Sequence, residues 1–297
     1  MLPTWFATPL SPWGWIIGVV TGIFINSLVL AWARRKGHLT KWASITALAM
    51  GFTLWMIEPM FFITLLTFFV SSSMLSKLHA REKKEAQEHA AKGSTRDVRQ
   101  VLANGSSGLV MAIFYAISSF LDLPSWIPLS AAFSVIAAFA APNSDTWATE
   151  IGMLSAGKPR WILDLRKAVE PGTSGGVSCK GTLAAAAGAL LVAVIGFLLS
   201  CAFGISSVIE SRNWFTFCIA ASTAFIGSLV DSVVGATVQA TFKCQSCGKE
   251  TEKRVHCSKP TVLLRGTKWI DNDAVNFLAS AFAAVMTFMA ALLVFQT

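Results

Sequence analysis

Long apolar stretches separated by short polar segments dominate the chain. A bilayer core of about 30 Å takes roughly 20 apolar residues per helix, within a range of about 17–25. Two of the apolar regions are interrupted by Pro59 and Pro124, and proline disfavours helix at the residue before it. The pattern predicts eight transmembrane helices, at 12–33, 42–57, 59–76, 105–121, 126–141, 182–203, 214–240 and 274–296, of which 42–57 and 126–141 are short enough to be half-helices.

The composition supports an integral membrane protein. Charged residues make up 13% of the 297 positions, against about 25% in soluble domains, and the mean hydropathy is +0.59. These values exclude a soluble globular protein, a disordered chain and a disulfide scaffold. We therefore expect an all-α polytopic helical bundle that forms a single integral membrane domain over residues 1–297.

The basic residues indicate the orientation of this bundle, because Lys and Arg favour cytoplasmic loops. With the N-terminus outside, the cytoplasmic segments 34–41, 77–104, 142–181 and 241–273 hold 23 of the 24 Lys and Arg residues, and only Arg212 falls on the other side. We therefore predict that both termini lie on the non-cytoplasmic side. The net charge of +8 then marks one membrane face and requires no nucleic acid partner.

Three of the six cysteines lie in the segment 241–273, in the pattern Cys-x-x-Cys followed by His-Cys. Two thiolates at this spacing with a later His or Cys are typical zinc ligands of a short chain. Cys244, Cys247, His256 and Cys257 thus predict a structural zinc-knuckle-like insert in this cytoplasmic loop. The fourth ligand stays open because adjacent ligands are geometrically awkward, and free cytosolic thiols are the alternative.

Carboxylates and hydroxyls cluster at the predicted cytoplasmic ends of the spans, where polar groups at membrane depth face protein or a water-filled cavity. Asp145 with Thr146 and Thr149 forms a hard-oxygen face suited to Mg²⁺. Glu150 lies about 140° around a helix from Asp145, so the two need not share a ligand. Asp231 lies inside the seventh span and requires a metal or a proton. Helix capping and close packing of small residues are the alternative explanations.

A segment rich in glycine and hydroxyl residues, 171–182, precedes the sixth span. Successive backbone N–H groups before a helix N-terminus form an anion nest, and glycine permits the dihedrals it needs. The segment predicts a phosphate cradle to which Lys180 adds a point charge. Its spacing matches neither a Walker A motif nor the dinucleotide fingerprint, and a flexible loop is the alternative.

Three further polar regions lie at the same predicted face. Residues 269–276 begin the last span with more amides and carboxylates than helix capping requires. Residues 100–108 precede the fourth span, and there a helix cap and a substrate contact are equally supported. Residues 77–99 are typical of a solvated basic face beside anionic lipid, or of cations that hold a polyanion. The combined inventory favours phosphoryl transfer, which depends on positioning and charge neutralisation.

Six segments carry a family resemblance: QVLANG (100–105), DTWATEIG (145–152), PR (159–160), GTSGGVS (172–178), GSLVDSVVGATVQ (227–239) and WIDNDAVN (269–276). Together they resemble the membrane family once called domain of unknown function 92, which includes plant phytyl-phosphate kinase and vertebrate transmembrane protein 19. The family is distantly similar to the CTP-dependent polyprenol and dolichol kinases. Asp145, Ala148 and Gly152 match the D-x-x-A-x-x-x-G nucleotide-binding motif of those kinases.

The resemblance implies an enzyme that transfers a phosphoryl group from CTP or another nucleoside triphosphate to a prenyl or phytyl monophosphate, at the cytoplasmic face. It implies that Asp145, with Glu150 or Asp231, holds Mg²⁺, and that Lys180 assists catalysis. Phosphates would be bound by Gly172, Thr173, Ser174, Gly175, Gly176, Ser178 and Arg160, and substrate or metal would be oriented by Asn104, Asp271, Asn272 and Asn276.

Three other functions remain open at this point. The first is a CTP-dependent prenol kinase acting on the free alcohol. The second is a lipid-phosphate transporter or flippase, in which the breaks at Glu58-Pro59 and Pro124 would form discontinuous helices. The third is a non-catalytic scaffold, which would need none of these acids.

Overall fold

The computed structural model describes residues 12–78, 95–206 and 210–296, and within these ranges the chain forms eight α-helices. They are α1 (Pro12–Arg35), α2 (Lys41–Ile57), α3 (Pro59–Lys77), α4 (Val98–Phe120), α5 (Trp126–Gly152), α6 (Cys179–Ala202), α7 (Ser211–Thr237) and α8 (Asn272–Gln296). Seven are long and apolar enough to cross a membrane, and α2 has 17 residues. The prediction of an all-α polytopic membrane bundle is therefore confirmed. Most of the basic stretch 77–99 lies outside the described residues.

The break between α2 and α3 lies where the sequence predicts it. Glu58 has extended backbone, with φ of −161°, and ends one helix while Pro59 begins the next at its first position. Proline is tolerated there because the first amides of a helix have no intrahelical acceptor. The chain therefore turns without losing an intrahelical hydrogen bond.

Helix α4 begins seven residues earlier than predicted, at Val98 rather than residue 105. Asp97 and Gln100 form a capping box, in which Gln100 N donates to Asp97 Oδ1 at 2.9 Å and Asp97 N donates to Gln100 Oε1 at 3.0 Å. This reciprocal pair stabilises the first turn. The segment 100–105 consequently lies within the helix and not before it.

The prediction that a helix ends at residue 141 is wrong, and α5 is not a half-helix. It continues through Pro142 to Gly152, although an internal proline removes one backbone hydrogen bond. Asn143 Nδ2 and Ser144 Oγ donate to the carbonyls of Gly188 and Ala185 in α6, both at 2.8 Å. These contacts across the helix pair hold the continuation in place, so neither side chain acts as a cap.

Helix α5 is the centre of the bundle. It is the most buried of the candidate spans and packs against α3, α4, α6, α7 and α8. Alanines and serines along α5 let these neighbours approach closely, as small residues do in membrane helix packing. Helix α1 is peripheral and packs mainly against α2.

Short antiparallel strands occupy two connections between helices. In the α5–α6 connection, β1 (Arg160–Trp161), β2 (Asp164–Ala168) and β3 (Gly176–Val177) pair in the order β2-β1-β3. In the α7–α8 connection, β4 (Thr241–Lys243), β5 (Glu250–Thr251) and β8 (Val262–Arg265) pair in the order β5-β4-β8, and β6 (Val255–His256) forms a hairpin with β7 (Lys259–Pro260). The apolar pattern of the spans did not predict these strands.

Candidate active site

A polar cleft of about 340 Å³ opens at one end of the bundle. The last turns of α3, α5 and α7 and the first turns of α4, α6 and α8 line it, together with the loop before α6. Thirteen of the predicted site residues lie in its wall: Asn104, Asp145, Glu150, Gly172, Thr173, Ser174, Gly175, Gly176, Ser178, Asp231, Asp271, Asn272 and Asn276.

The structure does not bring Arg160 and Lys180 into this wall. Arg160 is exposed in β1, where its Nη1 donates to the carbonyl of Arg166 at 3.0 Å. Lys180 is exposed on the first turn of α6, a helix that lines the cleft through Gly181, Thr182 and Ala185. Both residues are next to cleft-lining residues in the sequence, but neither of them lines the cleft.

Carboxylates from three elements line the cleft. Asp145 of α5 and Glu252, directly after β5, both lie close enough to Asp231 of α7 to act electrostatically on its charge. Asp231 is 9% exposed, and its Oδ2 has no hydrogen-bond partner within the described part of the chain. Buried carboxylate oxygens of this kind suit a hard divalent cation, which offsets their repulsion. The carboxylates of Asp145 and Asp231 therefore have the donor chemistry that suits Mg²⁺.

Glu252 is a site residue that sequence reasoning missed. It follows a two-residue strand in an irregular connection, where no helical or strand periodicity marks an inward-facing position. Only the fold of the 241–270 segment brings it to Asp231.

The glycine-rich loop lies directly on α7. Gly172 and Gly175 both have positive φ, of 85° and 82°. A Cβ at Gly175 would stand 2.5 Å from the Cβ of Ala236 and 2.9 Å from its Cα, so only glycine allows this approach. The loop backbone is thereby held in the cleft, with its turns closed by Thr173 N donating to Glu170 O and Gly176 N to Thr173 O.

Ser178 caps the helix that follows this loop. Its Oγ accepts a hydrogen bond from Gly181 N at 3.1 Å and lies 3.2 Å from the Oγ of Ser155. The N-terminus of α6 opens on the cleft through Gly181 and Thr182, and the partial positive charge of a helix N-terminus favours an anion there. Ser178 thus has a structural role whether or not it contacts phosphate.

Arg96 supplies a cation that the sequence offered only within its general basic stretch. The side chain lines the cleft, its Nη2 donates to Ser72 Oγ at 2.6 Å, and its guanidinium lies 4.9 Å and 5.3 Å from the ring centres of Phe68 and Phe69. Burial lowers the pKa of Arg96 to about 10, and the charge of Glu150 opposes this shift. The group is therefore a cation at neutral pH.

The start of α8 completes the wall. Asp271 caps this helix, since its Oδ1 accepts from Ala274 N at 3.1 Å, and its other oxygen forms a 3.0 Å ion pair with the exposed Arg99. Asn272 and Asn276 follow on the same wall of the cleft. Capping accounts for the carboxylate of Asp271 and leaves the two amides to face the cavity.

The cysteine and histidine cluster assembles as the sequence predicts. One ligand atom each from Cys244, Cys247, His256 and Cys257 lies within 4.8 Å of the others. Ligand atoms around tetrahedral zinc stand roughly 3.5–3.8 Å apart, given bonds of about 2.0–2.3 Å. The pKa of the Cys244 thiol falls to about 6, chiefly through the backbone N–H of Cys247. The cluster can therefore bind a metal ion.

Backbone geometry explains how two adjacent residues join this cluster. Cys257 and Ser258 have φ of 50° and 59°, as the central residues of a type I′ hairpin turn do. Because few non-glycine residues adopt this conformation, the turn between β6 and β7 is a specific feature. It brings the Sγ of Cys257 to 3.3 Å from the Nδ1 of the preceding His256.

Comparison with known proteins decides the family. The profile described as Integral membrane protein DUF92 matches residues 24–284. The chain belongs to this family. It is 32% identical to Protein PGR of Arabidopsis thaliana over 243 residues, 78% of this chain and 81% of the relative. It is also 32% identical to an uncharacterised membrane protein of Methanocaldococcus jannaschii over 222 residues, 74% and 83% of the two chains.

Protein VTE6, chloroplastic, of Arabidopsis thaliana is a further relative of this DUF92 protein. The two are 27% identical over 235 residues, which cover 77% of this chain and 57% of the relative. No solved structure matches the chain significantly. The DUF92 match begins within α1 and ends within α8, so it includes every element that lines the cleft.

In this DUF92 protein, the cleft combines acids, a glycine loop at a helix N-terminus, and a buried arginine. Carboxylates can hold a divalent cation, backbone amides can hold phosphate oxygens, and Arg96 can neutralise a further phosphate. The cleft therefore offers oxygen ligands for a cation and hydrogen-bond donors for anionic oxygens.

Proposed function

We propose that the protein is a membrane prenyl-phosphate kinase. It transfers the γ-phosphoryl group of CTP or another nucleoside triphosphate to a prenyl or phytyl monophosphate. An oxygen of the monophosphate forms a bond to the γ-phosphorus as the β–γ bridging bond breaks, which yields the prenyl diphosphate and a nucleoside diphosphate. The supporting observation is the single cleft in which the acids, the glycine loop and Arg96 converge at one end of a membrane bundle.

The acids would act by holding Mg²⁺ through Asp145, Asp231 and Glu252. When bound, Mg²⁺ offsets the negative charge of the phosphates and fixes their geometry. The loop 172–176 and the N-terminus of α6 would hold the nucleotide phosphates, since amides and a helix N-terminus favour anions there. Arg96 would bind the acceptor phosphate, and Asn272 and Asn276 would orient it. Catalysis here is mainly positioning and charge neutralisation.

Two further arguments support the identity of the phosphoryl acceptor and the side of the membrane on which the cleft opens. The family that residues 100–105, 145–152 and 172–178 resemble includes plant phytyl-phosphate kinase. This resemblance favours a prenyl monophosphate as the phosphoryl acceptor. Basic residues at the cleft end of the bundle favour a cytoplasmic cleft, because 23 of the 24 Lys and Arg residues fall in the segments assigned to that side. Cytosolic nucleotide and membrane lipid would then both reach the site.

The metal of the cysteine cluster would be a structural Zn²⁺. Three thiolates and one imidazole make a closed tetrahedral set with no position left for substrate. Such a site stabilises the connection between α7 and α8, which carries Glu252. We therefore assign it no chemical step.

A screen of purified protein in detergent tests the kinase proposal. CTP, ATP, GTP and UTP are each combined with Mg²⁺ and with prenols or prenyl monophosphates, and products are resolved by mass spectrometry. The proposal expects a prenyl diphosphate from a monophosphate, with loss of activity in EDTA. A monophosphate made from a prenol would indicate the alcohol kinase. Lipid flux in liposomes without nucleotide consumption would indicate the transporter.

A further inference from the structure

A second cavity, of about 80 Å³, lies beside the polar cleft among α1, α2, α3 and α4. Its wall consists mostly of aliphatic and aromatic side chains, among them Val29, Leu30, Leu48, Phe62, Leu65 and Phe69. We call it the apolar chamber. Apolar cavities in proteins stay dry and take up apolar groups.

The apolar chamber and the cleft share three wall residues: Arg96, Gln100 and Asn104. All three lie at the start of α4 or directly before it. The two spaces are therefore neighbours, with a line of polar side chains at their boundary and apolar side chains beyond it.

The boundary residues are built for a charged group on one side and hydrocarbon on the other. Arg96 lies over the rings of Phe68 and Phe69, which belong to the chamber wall, while the same side chain lines the cleft. The Oδ1 of Asn104 is buried and has no hydrogen-bond partner within the described residues. A buried polar atom without a partner is costly, and a singly protonated phosphate carries an O–H group that can donate to it.

We propose that the apolar chamber binds the hydrocarbon chain of a phosphate lipid, with its phosphate at Arg96 and Gln100. The inference rests on the proposed kinase function and names the part of the site that recognises the lipid. The wall residues on α3 run from Phe62 to Phe69, which is about 10 Å along a helix. The chamber thus holds the part of the chain nearest the phosphate.

The position of α1 would allow the rest of the lipid's hydrocarbon chain to extend from the chamber into the membrane. This peripheral helix packs mainly against α2 and closes the chamber with Asn26, Leu30 and Ala33, which recur at helical spacing. Its other face carries exposed Ile17, Val20, Phe24 and similar side chains, which suit lipid contact. A longer hydrocarbon chain would continue past α1 into the bilayer.

Ala47 offers a way to fill the chamber, and Ala49 provides a matched control. Both lie on α2 two residues apart, but Ala47 lines the chamber and Ala49 is exposed on the outer face of the helix. In Ala47→Phe, we expect kcat/KM for phytyl monophosphate to fall at least about tenfold, since overpacking excludes the chain. Turnover of 3-methylbut-2-enyl monophosphate, whose five carbons occupy only the part of the chamber nearest the phosphate, should fall by a smaller factor. Ala49→Phe should leave both unchanged.

A diazirine-bearing phytyl monophosphate supplies a readout that needs no turnover. Irradiation of the wild-type protein should label residues of α1 to α4 around the chamber, and Ala47→Phe should lose the label while Ala49→Phe keeps it. Labelling elsewhere, or equal labelling of both variants, would overturn the assignment. A milder Ala47→Leu, with its melting temperature measured, replaces the Phe variant if that variant does not fold.

The two proposals fail in different ways. Label in the chamber without phosphoryl transfer from any nucleotide would leave the lipid site standing and overturn the kinase. The opposite result is phosphoryl transfer that does not depend on the length of the hydrocarbon chain, in wild type or in Ala47→Phe, together with no label in the chamber. That result would support the kinase and overturn the lipid site.

Discussion

The hydroxyl of Ser174 donates a 2.8 Å hydrogen bond to Oε1 of Gln239. This bond ties the glycine-rich loop to the second residue after α7. The same amide then donates from its Nε2 to Glu252 Oε1, also at 2.8 Å. One buried glutamine thus connects the proposed phosphate loop to the carboxylate supplied by the metal-cluster connection.

Gln239→Leu should weaken nucleotide binding more than it alters chemistry. Gln239 is 1% exposed, and the substitution removes both hydrogen bonds while keeping most of the volume. We expect KM for the nucleotide to rise about tenfold and the free energy of unfolding to fall by about 1–3 kcal/mol, the typical result of breaking buried polar pairs. Steady-state kinetics and thermal unfolding check this. Gln296→Leu, at the exposed end of α8, is the control, and equal kinetics in both variants would contradict the positioning role.

Cys247→Ser should abolish metal binding in the α7–α8 connection. The substitution removes one of four ligand atoms that lie within 4.8 Å of one another. We expect about one zinc per wild-type chain and a tenth of that or less in the variant, because a structural site needs its full ligand set. Mass spectrometric metal analysis measures both. Cys218→Ser, on an exposed position of α7, should keep its zinc, and equal zinc in Cys247→Ser would exclude the site.

Asp231→Asn should lower activity while making the metal-free protein more stable. The carboxylate is buried, has an oxygen without a partner, and lies near the charges of Asp145 and Glu252. Removing this repulsion should raise stability by on the order of 1 kcal/mol, as seen where function requires a strained site. The Mg²⁺ concentration for half-maximal rate should rise. Melting temperatures with and without Mg²⁺, beside a magnesium titration of activity, test both effects. A variant that is less stable without Mg²⁺ would contradict this reading.

Arg96→Lys should weaken binding of the lipid phosphate and leave nucleotide binding nearly unchanged. Lysine keeps the charge but loses the planar group that lies over Phe68 and Phe69 and donates to Ser72. We expect KM for prenyl monophosphate to rise about tenfold, with KM for the nucleotide within twofold, since buried charge-assisted pairs of arginine contribute about 1.5–3 kcal/mol.

The pKa of Arg96 adds a second readout to this prediction. Because burial lowers that pKa to about 10, the group is protonated well below that pH and loses its proton as the pH rises through it. Affinity for the lipid phosphate should therefore weaken as the pH approaches 10 in the wild type.

Arg35→Lys, exposed at the end of α1, is the control for Arg96→Lys. Similar kinetic changes in both variants would remove Arg96 from the site.

The helices could be predicted because each needs an apolar stretch long enough for the bilayer, and the breaks at Pro59 and Pro124 are visible in the chain. The missed start of α4 depends on a local capping box, whereas the missed end of α5 depends on contacts between helices. Asn143 and Ser144 satisfy carbonyls of α6, so a segment that reads as polar stays helical past Pro142. Local pattern carries no information on such partners.

The candidate site was predictable in its motifs and not in its full membership. Asp145, Asp231 and the loop 172–176 carry their own chemical signature, and the structure gathers them into one cleft. Glu252 and Arg96 lack such a signature, since the first depends on the fold of an irregular connection and the second lies in a generally basic stretch. Lys180 follows the loop in sequence but not in space, because neighbouring helical positions face about 100° apart.

Transfer of label from γ-³²P-CTP to phytyl monophosphate tests the central claim most directly. Purified wild-type protein with Mg²⁺ should place the label in phytyl diphosphate, and Asp145→Asn should retain about 1% of that rate or less, the order of loss seen when one electrostatic contact to a transferring group is removed. Thr53→Val, on an exposed hydroxyl of α2 far from the cleft, should label as the wild type does. Absence of label in the lipid with CTP and with every other nucleoside triphosphate, or full transfer by Asp145→Asn, would contradict the account.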